Sequence, residues 1–333
     1  MSTYKQAGVD IDGAESAVRR IADIARSTYN SSVLTGVGGF SGLFSLEGLG
    51  GGNVVLAAGA DGVGTKVKIA QAIGKHDTVG IDLVAMNADD VVTSGARPLF
   101  FLDYIAIGKL RPGVVEDLIK GVAEGCRQAG CVLLGGETAQ MPGMYEEDEY
   151  DLAGFCVGAV DKGRIIDGSR ISPGDVLIGL ESSGLHSNGF TLARKVLLQD
   201  AGMSLSRRVP ELGCTLGEEL LEPTRIYSRA ILRLRESVDI LGLAHITGGG
   251  IPGNVPRIFR PGLSMEVTWK WPVPPIFDLI RHLGGIPEDE MRRVFNMGIG
   301  MVAIVREEDA DKTSRLLKDM GVGSHFVGVV VGS

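Results

Sequence analysis

The chain is poor in aromatic side chains and in cysteine, and it has no excess of basic residues. Phe, Trp and Tyr make up 5% of its 333 residues, and the formal net charge at pH 7 is −8. This acidic balance disfavours nucleic acid and anionic membrane surfaces as partners, because both require a positive protein surface. No stretch approaches the roughly 18 consecutive apolar residues of a membrane-spanning helix. The acidic balance and the lack of long apolar runs predict that the protein has no nucleic-acid or membrane partner.

The few cysteines and the first residues predict the cellular compartment. Cys126, Cys131, Cys156 and Cys214 form no C-x-x-C pair and mostly lie in apolar runs. We therefore expect buried, reduced thiols rather than disulfides or a zinc site. Residues 1–8 lack the apolar core of a secretion signal. Both observations favour a cytoplasmic location.

Glycine, in contrast, is abundant. The 49 glycines are roughly twice the average usage and mostly stand at the ends of apolar runs, which favours tight turns around ligands. The length and the 44% of apolar residues suffice for two domains with a core each. Turn-forming residues between 161 and 175 place the division between domains 1–165 and 166–333.

Strands and helices alternate in both halves, which predicts an α/β fold of two mixed, layered domains. In the first half we expect a strand from Val54, strands 99–107 and 151–160, a short buried strand 131–134, and helices 12–27, 78–94 and 113–129. In the second half we expect strands 176–181, 243–247, 263–269, 299–305 and 326–332, and helices 188–200, 224–236, 275–284 and 307–320.

The most informative stretch follows the strand that begins at Val54. It delivers, in order, Asp61, Gly62, Gly64, Thr65 and Lys66. Glycines let the backbone approach a ligand, the lysine supplies a charge for phosphate, and the aspartate can hold a hard cation such as Mg²⁺. The spacing narrowly misses that of a P-loop, so no P-loop is assigned. The alternative is an ordinary polar turn between a strand and a helix.

The predicted helix 78–94 carries three aspartates among apolar residues. Asp82 and Asp89 are seven residues apart and share a face, whereas Asp90 is turned roughly 80° away. For Asp82 alone the favoured interpretation is a solvated polar face, because ionised side chains are usually exposed.

Two glycine-rich segments could meet the same ligand. Gly135, Gly136, Glu137 and Thr138 end an apolar run, as the first cluster does, so the two strand tips could face one nucleotide. The loop 36–42, which includes Gly38, Gly39 and Phe40, could cover phosphates with its backbone N–H groups. The alternative for this loop is a mobile surface connection.

The second half adds two polar loops. His186, Ser187 and Asn188 join a strand to a helix and supply the groups that a substrate phosphate and a proton transfer require, with His186 as the acid–base candidate. The alternative is a helix N-cap in which His186 has no chemical role. The loop 247–250 allows close approach of a ligand, or it is a simple turn before a helix.

These motifs occur in the order found in one known family. The blocks that carry the resemblance are 59–66, 80–87, 89–90, 95–98, 100–104, 135–145, 186–189, 223–227 and 245–250. Over essentially the whole chain they resemble the phosphoribosylformylglycinamidine cyclo-ligases, also called AIR synthetases. The resemblance implies an ATP-dependent ligase of purine biosynthesis that converts formylglycinamidine ribonucleotide to aminoimidazole ribonucleotide, ADP and phosphate. It also implies a homodimer in which the N-terminal domains build a shared β-barrel.

The same resemblance implies roles for individual residues. Asp61, Asp90 and Glu137 would bind Mg²⁺ and nucleotide, and Lys66 with residues 135–138 would meet phosphates. Ser187 and Asn188 would line the substrate side, together with Arg225, Thr247, Gly248 and Gly249, and His186 would move a proton as the ring closes. The chain departs from the family at residues 27–32, where relatives commonly carry basic residues and this chain has none.

The implied chemistry leaves two alternatives, an enzyme of the same superfamily and a protein of another class. The formyl oxygen would take the γ-phosphoryl group of ATP, and an amidine nitrogen would then displace phosphate. A small-molecule kinase such as thiamine-phosphate kinase, or a nucleotide-binding maturation partner, would share the carboxylates of the first domain. A maturation partner would have no use for the cluster 186–188, which favours the ligase.

Overall fold

The first half of the chain forms one sheet with helices packed on one of its faces. The structure, a computed structural model, describes residues 3–9 and 11–333. The strands are β1 (Val33–Thr35), β2 (Gly42–Ser45), β3 (Val54–Gly62), β4 (Arg97–Ile107), β5 (Val132–Gln140) and β6 (Tyr150–Asp161). The helices are α1 (Thr3–Gln6), α2 (Ile11–Arg26), α3 (Val67–Ile73), α4 (Val79–Val92) and α5 (Pro112–Ala129).

The strand order of this sheet is β1-β2-β3-β6-β4-β5. Only the β4/β5 pair is parallel, so β3, β4 and β5 all run in one direction. Side chains alternate along β6, where even-numbered residues such as Leu152 and Cys156 are buried and odd-numbered ones such as Phe155 are exposed or half-buried. Helix α4 lies on the buried face and contacts both β3 and β6.

Helices α4 and α5 pack unusually closely because glycines stand where they touch. A Cβ added to Gly80 would lie 2.3 Å from the backbone nitrogen of Val122, and one on Gly121 would lie 2.4 Å from the carbonyl oxygen of Asp77. The close packing holds α4, which carries three aspartates, firmly under the sheet.

The second half forms a five-stranded antiparallel sheet of order β10-β12-β7-β13-β11. These strands are β7 (Val176–Glu181), β10 (Gly242–His245), β11 (Leu263–Val267), β12 (Ile299–Val305) and β13 (Ser324–Gly332), and β8 (Arg208–Val209) pairs with β9 (Cys214–Thr215). The helices are α6 (Phe190–Arg194), α7 (Leu216–Leu221), α8 (Ser228–Leu234), α9 (Gly250–Asn254), α10 (Pro275–Gly284), α11 (Glu288–Val294) and α12 (Ala310–Asp319).

Most predicted elements are present, and three differ in an informative way. Helix 188–200 is a short α6 followed by a π-helical turn at Lys195–Asp200. Helix 224–236 begins only at Ser228, because the preceding backbone N–H groups bind side chains of α4. The prediction of a short buried strand at 131–134 was wrong, since β5 is a nine-residue edge strand that is largely exposed and continues through residues 135–138.

The structure bears on the predictions made for the cysteines and for membrane-spanning segments. Cys126 and Cys156 are buried, Cys131 and Cys214 are partly buried, and all four thiols are free. Within residues 3–9 and 11–333, no helix is long and apolar enough to cross a membrane.

Candidate functional site

Two carboxylates and an imidazole meet where β3, α4 and β10 come together. Asp61 is the next-to-last residue of β3, Asp90 lies on α4, and His245 ends β10. The Nδ1 atom of His245 lies 2.8 Å from Oδ1 of Asp90. Burial raises the pKa of Asp61, and the negative charge of Asp90 raises it further, although the Gly62 N–H and His245 act in the opposite direction. Asp61 and Asp90 are therefore close enough to repel each other.

His245 was not singled out in the sequence analysis, where it only opened a motif. Its side chain is buried, and burial lowers its pKa, but the hydrogen bond and charge of Asp90, with Asp89 and Asp61 beyond, outweigh this and raise it. Its Nε2 atom is buried with no hydrogen-bond partner in the described part of the chain. Its place at the tip of a buried strand, before three glycines, was the signal that could have identified it.

The turn after β3 contacts the 186–189 loop of the second half. The hydroxyls of Thr65 and Thr191 lie 3.0 Å apart, and a Cβ on Gly64 would lie 3.9 Å from the carbonyl oxygen of Ser187. The Ser187 hydroxyl is buried and has no partner among the described residues. The structure thus brings the predicted Asp61–Thr65 cluster to the Ser187 loop.

The loop 247–250 contacts the same region and is held by a single amide. Asn254 Nδ2 donates hydrogen bonds to the carbonyls of Thr247, Gly248 and Gly250, at 3.3, 3.2 and 2.9 Å. A Cβ on Gly248 would lie 4.0 Å from Asn188 Nδ2, which places Asn188 beside this loop. Gly249 has a φ of +103°, a conformation that favours glycine. The exposed backbone at Gly248 is open to a ligand.

The glycine-rich loop 36–42 is fixed to the second half by Arg257. The guanidinium donates a 2.7 Å hydrogen bond to the carbonyl of Gly39 and lies 4.0 Å from the centre of the Phe40 ring. Burial lowers the pKa of Arg257, while the charge of Asp90 acts against this. Gly38, Gly39 and Phe40 therefore lie beside an arginine that is close enough to Asp90 to be affected by its charge.

Lys66 does not have the place predicted for it. Its side chain is fully buried, and Nζ donates to Asp82 Oδ1 at 2.8 Å and to the carbonyls of His186 and Glu222 at 3.1 and 2.6 Å. All three ammonium hydrogens are thus used within the protein. The arrangement does not fit a phosphate contact or a catalytic role, because no donor of Lys66 is left for a ligand.

The interpretation of Asp82 as part of a solvated face was wrong. Asp82 is fully buried, and besides Lys66 its Oδ1 accepts from the N–H and the hydroxyl of Thr224, at 2.8 and 2.6 Å. Asp89, on the same helix face, accepts from the N–H groups of Tyr227 and Ser228 at 2.9 and 3.0 Å. The predicted division therefore holds: Asp82 and Asp89 bind the segment before and at the start of α8, whereas Asp90 binds His245.

His186 is placed differently from an acid–base residue. It is buried with a φ of +61°, and its Nε2 accepts the N–H of Ser183 at 3.1 Å. Burial, together with the positive charges of His245, Lys66 and Arg225, holds its pKa well below the usual value, so the ring is neutral. The lone pair that could take a proton is already engaged, which does not fit a role as a base, and the N–H on Nδ1 is buried with no partner among the described residues.

The cluster 135–138 lies apart from Asp61. Strands β3 and β5 are separated by β6 and β4, which corresponds to about 14 Å across the sheet. Glu137 is paired in register with Tyr104, whereas Asp61 shares its row with Gly154 and Asp103, so Glu137 and Asp61 belong to opposite faces. Within one chain Gly135, Gly136, Glu137 and Thr138 do not join Asp61 and Asp90.

Arg225 lies at the edge of this region. Its guanidinium donates to the carbonyl of Gly321 at 3.4 Å, and its charge reaches His186 and Tyr227. No contact with Ser187 or Asn188 ties it to the substrate side in the part of the chain that the structure describes.

The donor set suits a magnesium ion that arrives with a nucleotide. No group of three or more His, Cys, Asp or Glu side chains converges as a metal site among residues 3–9 and 11–333. Mg²⁺, however, is usually held by one or two carboxylates and completes its shell with phosphate oxygens and water. Asp61 and Asp90, two neighbouring carboxylates beside exposed glycine backbone, fit that requirement.

Comparisons with known proteins agree with this geometry. Family models described as "AIR synthase related protein" match residues 45–160 for the N-terminal domain and residues 172–333 for the C-terminal domain. A phosphoribosylformylglycinamidine cyclo-ligase of Carboxydothermus hydrogenoformans is 53% identical over 328 residues, which is 98% of this chain and 96% of that protein.

Two solved structures share the fold at low identity. The HypE–HypF complex matches with a TM-score of 0.65 and 17% identity, covering 94% of this chain and 93% of the matched chain. Thiamine-monophosphate kinase from Stenotrophomonas maltophilia matches with a TM-score of 0.61 and 19% identity, covering 93% and 92%. They confirm the predicted mixed α/β fold. Because the identity to the cyclo-ligase extends over nearly the full length of both chains, this chain belongs to the phosphoribosylformylglycinamidine cyclo-ligase family, the AIR synthetases.

Proposed function

We propose that the chain is an ATP-dependent cyclo-ligase of purine biosynthesis. It converts formylglycinamidine ribonucleotide and ATP to aminoimidazole ribonucleotide, ADP and phosphate. The observation that carries this proposal is the meeting of Asp61 and Asp90 beside a turn whose backbone is exposed at Gly64. The full-length identity to a protein named for this reaction supports the choice of substrate.

ATP binds in this proposal with its phosphates at the turn after β3. The backbone of Gly62 and Gly64 and the exposed hydroxyl of Thr65 contact them, and the loop with Gly38, Gly39 and Phe40 covers them. Mg²⁺, held by Asp61 and Asp90, neutralises phosphate charge when it is bound. Lys66 acts indirectly, because its bonds to Asp82 and to the carbonyl of His186 fix the base of the turn.

The reaction needs two bond exchanges. The formyl oxygen of the substrate forms a bond to the γ-phosphorus as the bond to ADP breaks, and the amidine nitrogen then attacks the formyl carbon as phosphate leaves. The protein contributes positioning and a polar, partly enclosed cleft. Ser187, whose buried hydroxyl has no partner among the described residues, and Asn188, beside Gly248, orient the formylglycinamidine group.

We also propose the dimer, the domain division and the location that the family implies. The face of the first sheet opposite α4 is apolar and uncovered in one chain, with Phe155 45% and Leu134 63% exposed, and a second copy would cover it. The change of sheet between β6 and β7 supports the division after residue 165. A cytoplasmic location fits four free thiols and a biosynthetic reaction.

One measurement tests the proposed reaction against its alternatives. ADP release by the purified chain should require formylglycinamidine ribonucleotide, and mass spectrometry should show aminoimidazole ribonucleotide and ADP formed in equal amounts. Thiamine phosphate serves as the control substrate. ADP release that depends on thiamine phosphate, or that proceeds without either substrate, would reject the cyclo-ligase in favour of a kinase or a nucleotide hydrolase.

A further inference from the structure

Five arginines surround a cavity on the side of the molecule away from the candidate site. The cavity has a volume of about 720 Å³ and lies between the first sheet and α8. Its arginines are Arg97, Arg164, Arg229, Arg233 and Arg235. We refer to it as the arginine groove. Its volume is within the usual range for small-molecule sites.

The groove is distinct from the candidate site. Arg97 begins β4 and is paired with Ala159, whereas Asp103, six residues further along the same strand, belongs to the row that contains Asp61. Six residues of an extended strand span about 20 Å. The two sites therefore cannot share one small ligand.

The arginines of the groove lack acidic partners. Within residues 3–9 and 11–333, no carboxylate forms an ion pair with any of the five, although Asp161 and Glu236 also line the groove. Arg229 donates to the carbonyl of Arg127, and Arg235 donates to the carbonyls of Gly95 and Arg164. These bonds orient two guanidinium groups without neutralising them, and most of their N–H donors have no partner among the described residues.

This concentration of charge is unusual for an acidic chain. Arg229 and Arg233 are four residues apart on α8 and share a face, where like charges destabilise a helix. Burial lowers the pKa of Arg235, and the nearby charge of Arg164 lowers it further. The charges are thus held together at a cost in stability, which a bound anion would offset.

We propose that the arginine groove binds a compact polyphosphate. Guanidinium groups match phosphate oxygens in pairs of parallel hydrogen bonds, and several of them around one cavity suit a ligand with several phosphate groups. Among the described lining residues there is no aromatic ring on which a nucleobase could stack. The ligand is therefore recognised by its phosphates, so inorganic triphosphate and the phosphate tail of a nucleotide bind alike.

Calorimetric titration of the full chain with inorganic triphosphate, in buffer with EDTA and no Mg²⁺, tests this proposal. The unmodified chain should bind one triphosphate. The double variant Arg97→Gln/Arg233→Gln, at two exposed positions whose side chains form no hydrogen bond in the described part of the chain, should bind about tenfold or more weakly. The variant Arg207→Gln/Arg260→Gln loses the same charge outside the groove and should bind within about twofold of the unmodified chain.

A second variant separates the groove from the candidate site. Asp61→Asn should leave triphosphate binding unchanged, and ATP and GTP should compete for the groove with similar affinities. Binding that survives in Arg97→Gln/Arg233→Gln but is altered in Asp61→Asn would place the anion in the candidate site and overturn the proposal. Equal weakening in both double variants, or no binding by the unmodified chain, would also overturn it.

Discussion

Asp61 and Asp90 carry the proposed cation site, but the structure gives their substitutions different consequences. Asp61→Asn should abolish turnover and leave the unfolding temperature without nucleotide unchanged or slightly raised, because it removes a repulsion. Asp90→Asn should also abolish turnover, yet it should lower the free energy of unfolding by about 1–3 kcal/mol, because His245 loses its charged partner. Turnover assays and thermal unfolding check both. Activity retained at low Mg²⁺ in either variant would contradict the cation assignment.

His186 offers a test by pH. Its pKa is depressed in the folded chain, so below about pH 6.5 the unfolded chain binds a proton that the folded chain does not. Stability that is present above that pH is therefore lost as the pH falls, by up to about 1.4 kcal/mol per pH unit. His186→Asn should remove this dependence, and Asn tolerates the φ of +61°.

The control is His282→Asn, at an exposed histidine, which should keep the pH dependence of the unmodified chain. Urea unfolding between pH 5 and 8 measures it. Because Nε2 is already bonded to the Ser183 N–H, His186→Asn should also lower kcat by less than about tenfold. A loss of 10²-fold or more with an unchanged KM would restore the proton-transfer role that the sequence suggested.

Residue types in the sequence indicated the chemistry of the site but not which groups are free to perform it. Asp61, Ser187 and Asn188 were found because polar residues follow apolar strands, whereas Asp90, on a helix, was found through the family resemblance. Lys66 is a basic residue in the predicted turn, but its side chain is buried. Whether it is buried depends on residues more than 100 positions away in the sequence. That dependence is invisible in a local pattern.

At the scale of elements, a buried ion pair joins the turn after β3 to α4 and to the segment before α8. Lys66→Met or Asp82→Leu should each destabilise the chain by about 3–5 kcal/mol, because each leaves a buried charge without its partner. The loss of stability in the double variant should be clearly smaller than the sum of the losses in the two single variants. Urea unfolding measures all three.

The matched control for this ion pair is Lys75→Met. Lys75 and Asp77 form an exposed ion pair 2.8 Å long, and removing it should cost less than about 1 kcal/mol. If Lys66→Met were no more costly than Lys75→Met, the buried pair would not hold these elements together.

Element boundaries were predictable where hydrophobic periodicity alone decides them. Strands 176–181 and 299–305 and helix 275–284 coincide with the structure, because each is an apolar segment bounded by polar or turn residues. The burial of strand β5 was predicted wrongly, because an apolar run has the same sequence pattern whether the strand is covered or exposed. Helix α8 starts late because its preceding amides bind aspartates far away in sequence.

At the scale of the whole molecule, the uncovered apolar face of the first sheet predicts self-association. Phe155 lies in register between Ala60 and Leu102 on this face, and Leu134 lies on the edge strand β5. Sedimentation equilibrium at micromolar concentration should show a dimer, and Phe155→Asp/Leu134→Asp should shift it to monomer, because charge would be buried without a partner. Leu49→Asp, outside the sheet at a residue 74% exposed, should remain dimeric. A monomeric unmodified chain would contradict the proposed barrel.

Three buried side chains of the first half join the second half through its main-chain atoms. Asp82 and Asp89 accept hydrogen bonds from the backbone N–H groups of residues 224, 227 and 228, and Lys66 donates hydrogen bonds to the carbonyls of residues 186 and 222. Every amino acid except proline has the same backbone N–H group. Substitutions in these segments therefore keep the hydrogen bonds as long as the backbone conformation is unchanged. Hybrid proteins that combine the first half of this chain with the second half of a diverged relative should therefore inherit this part of the joint.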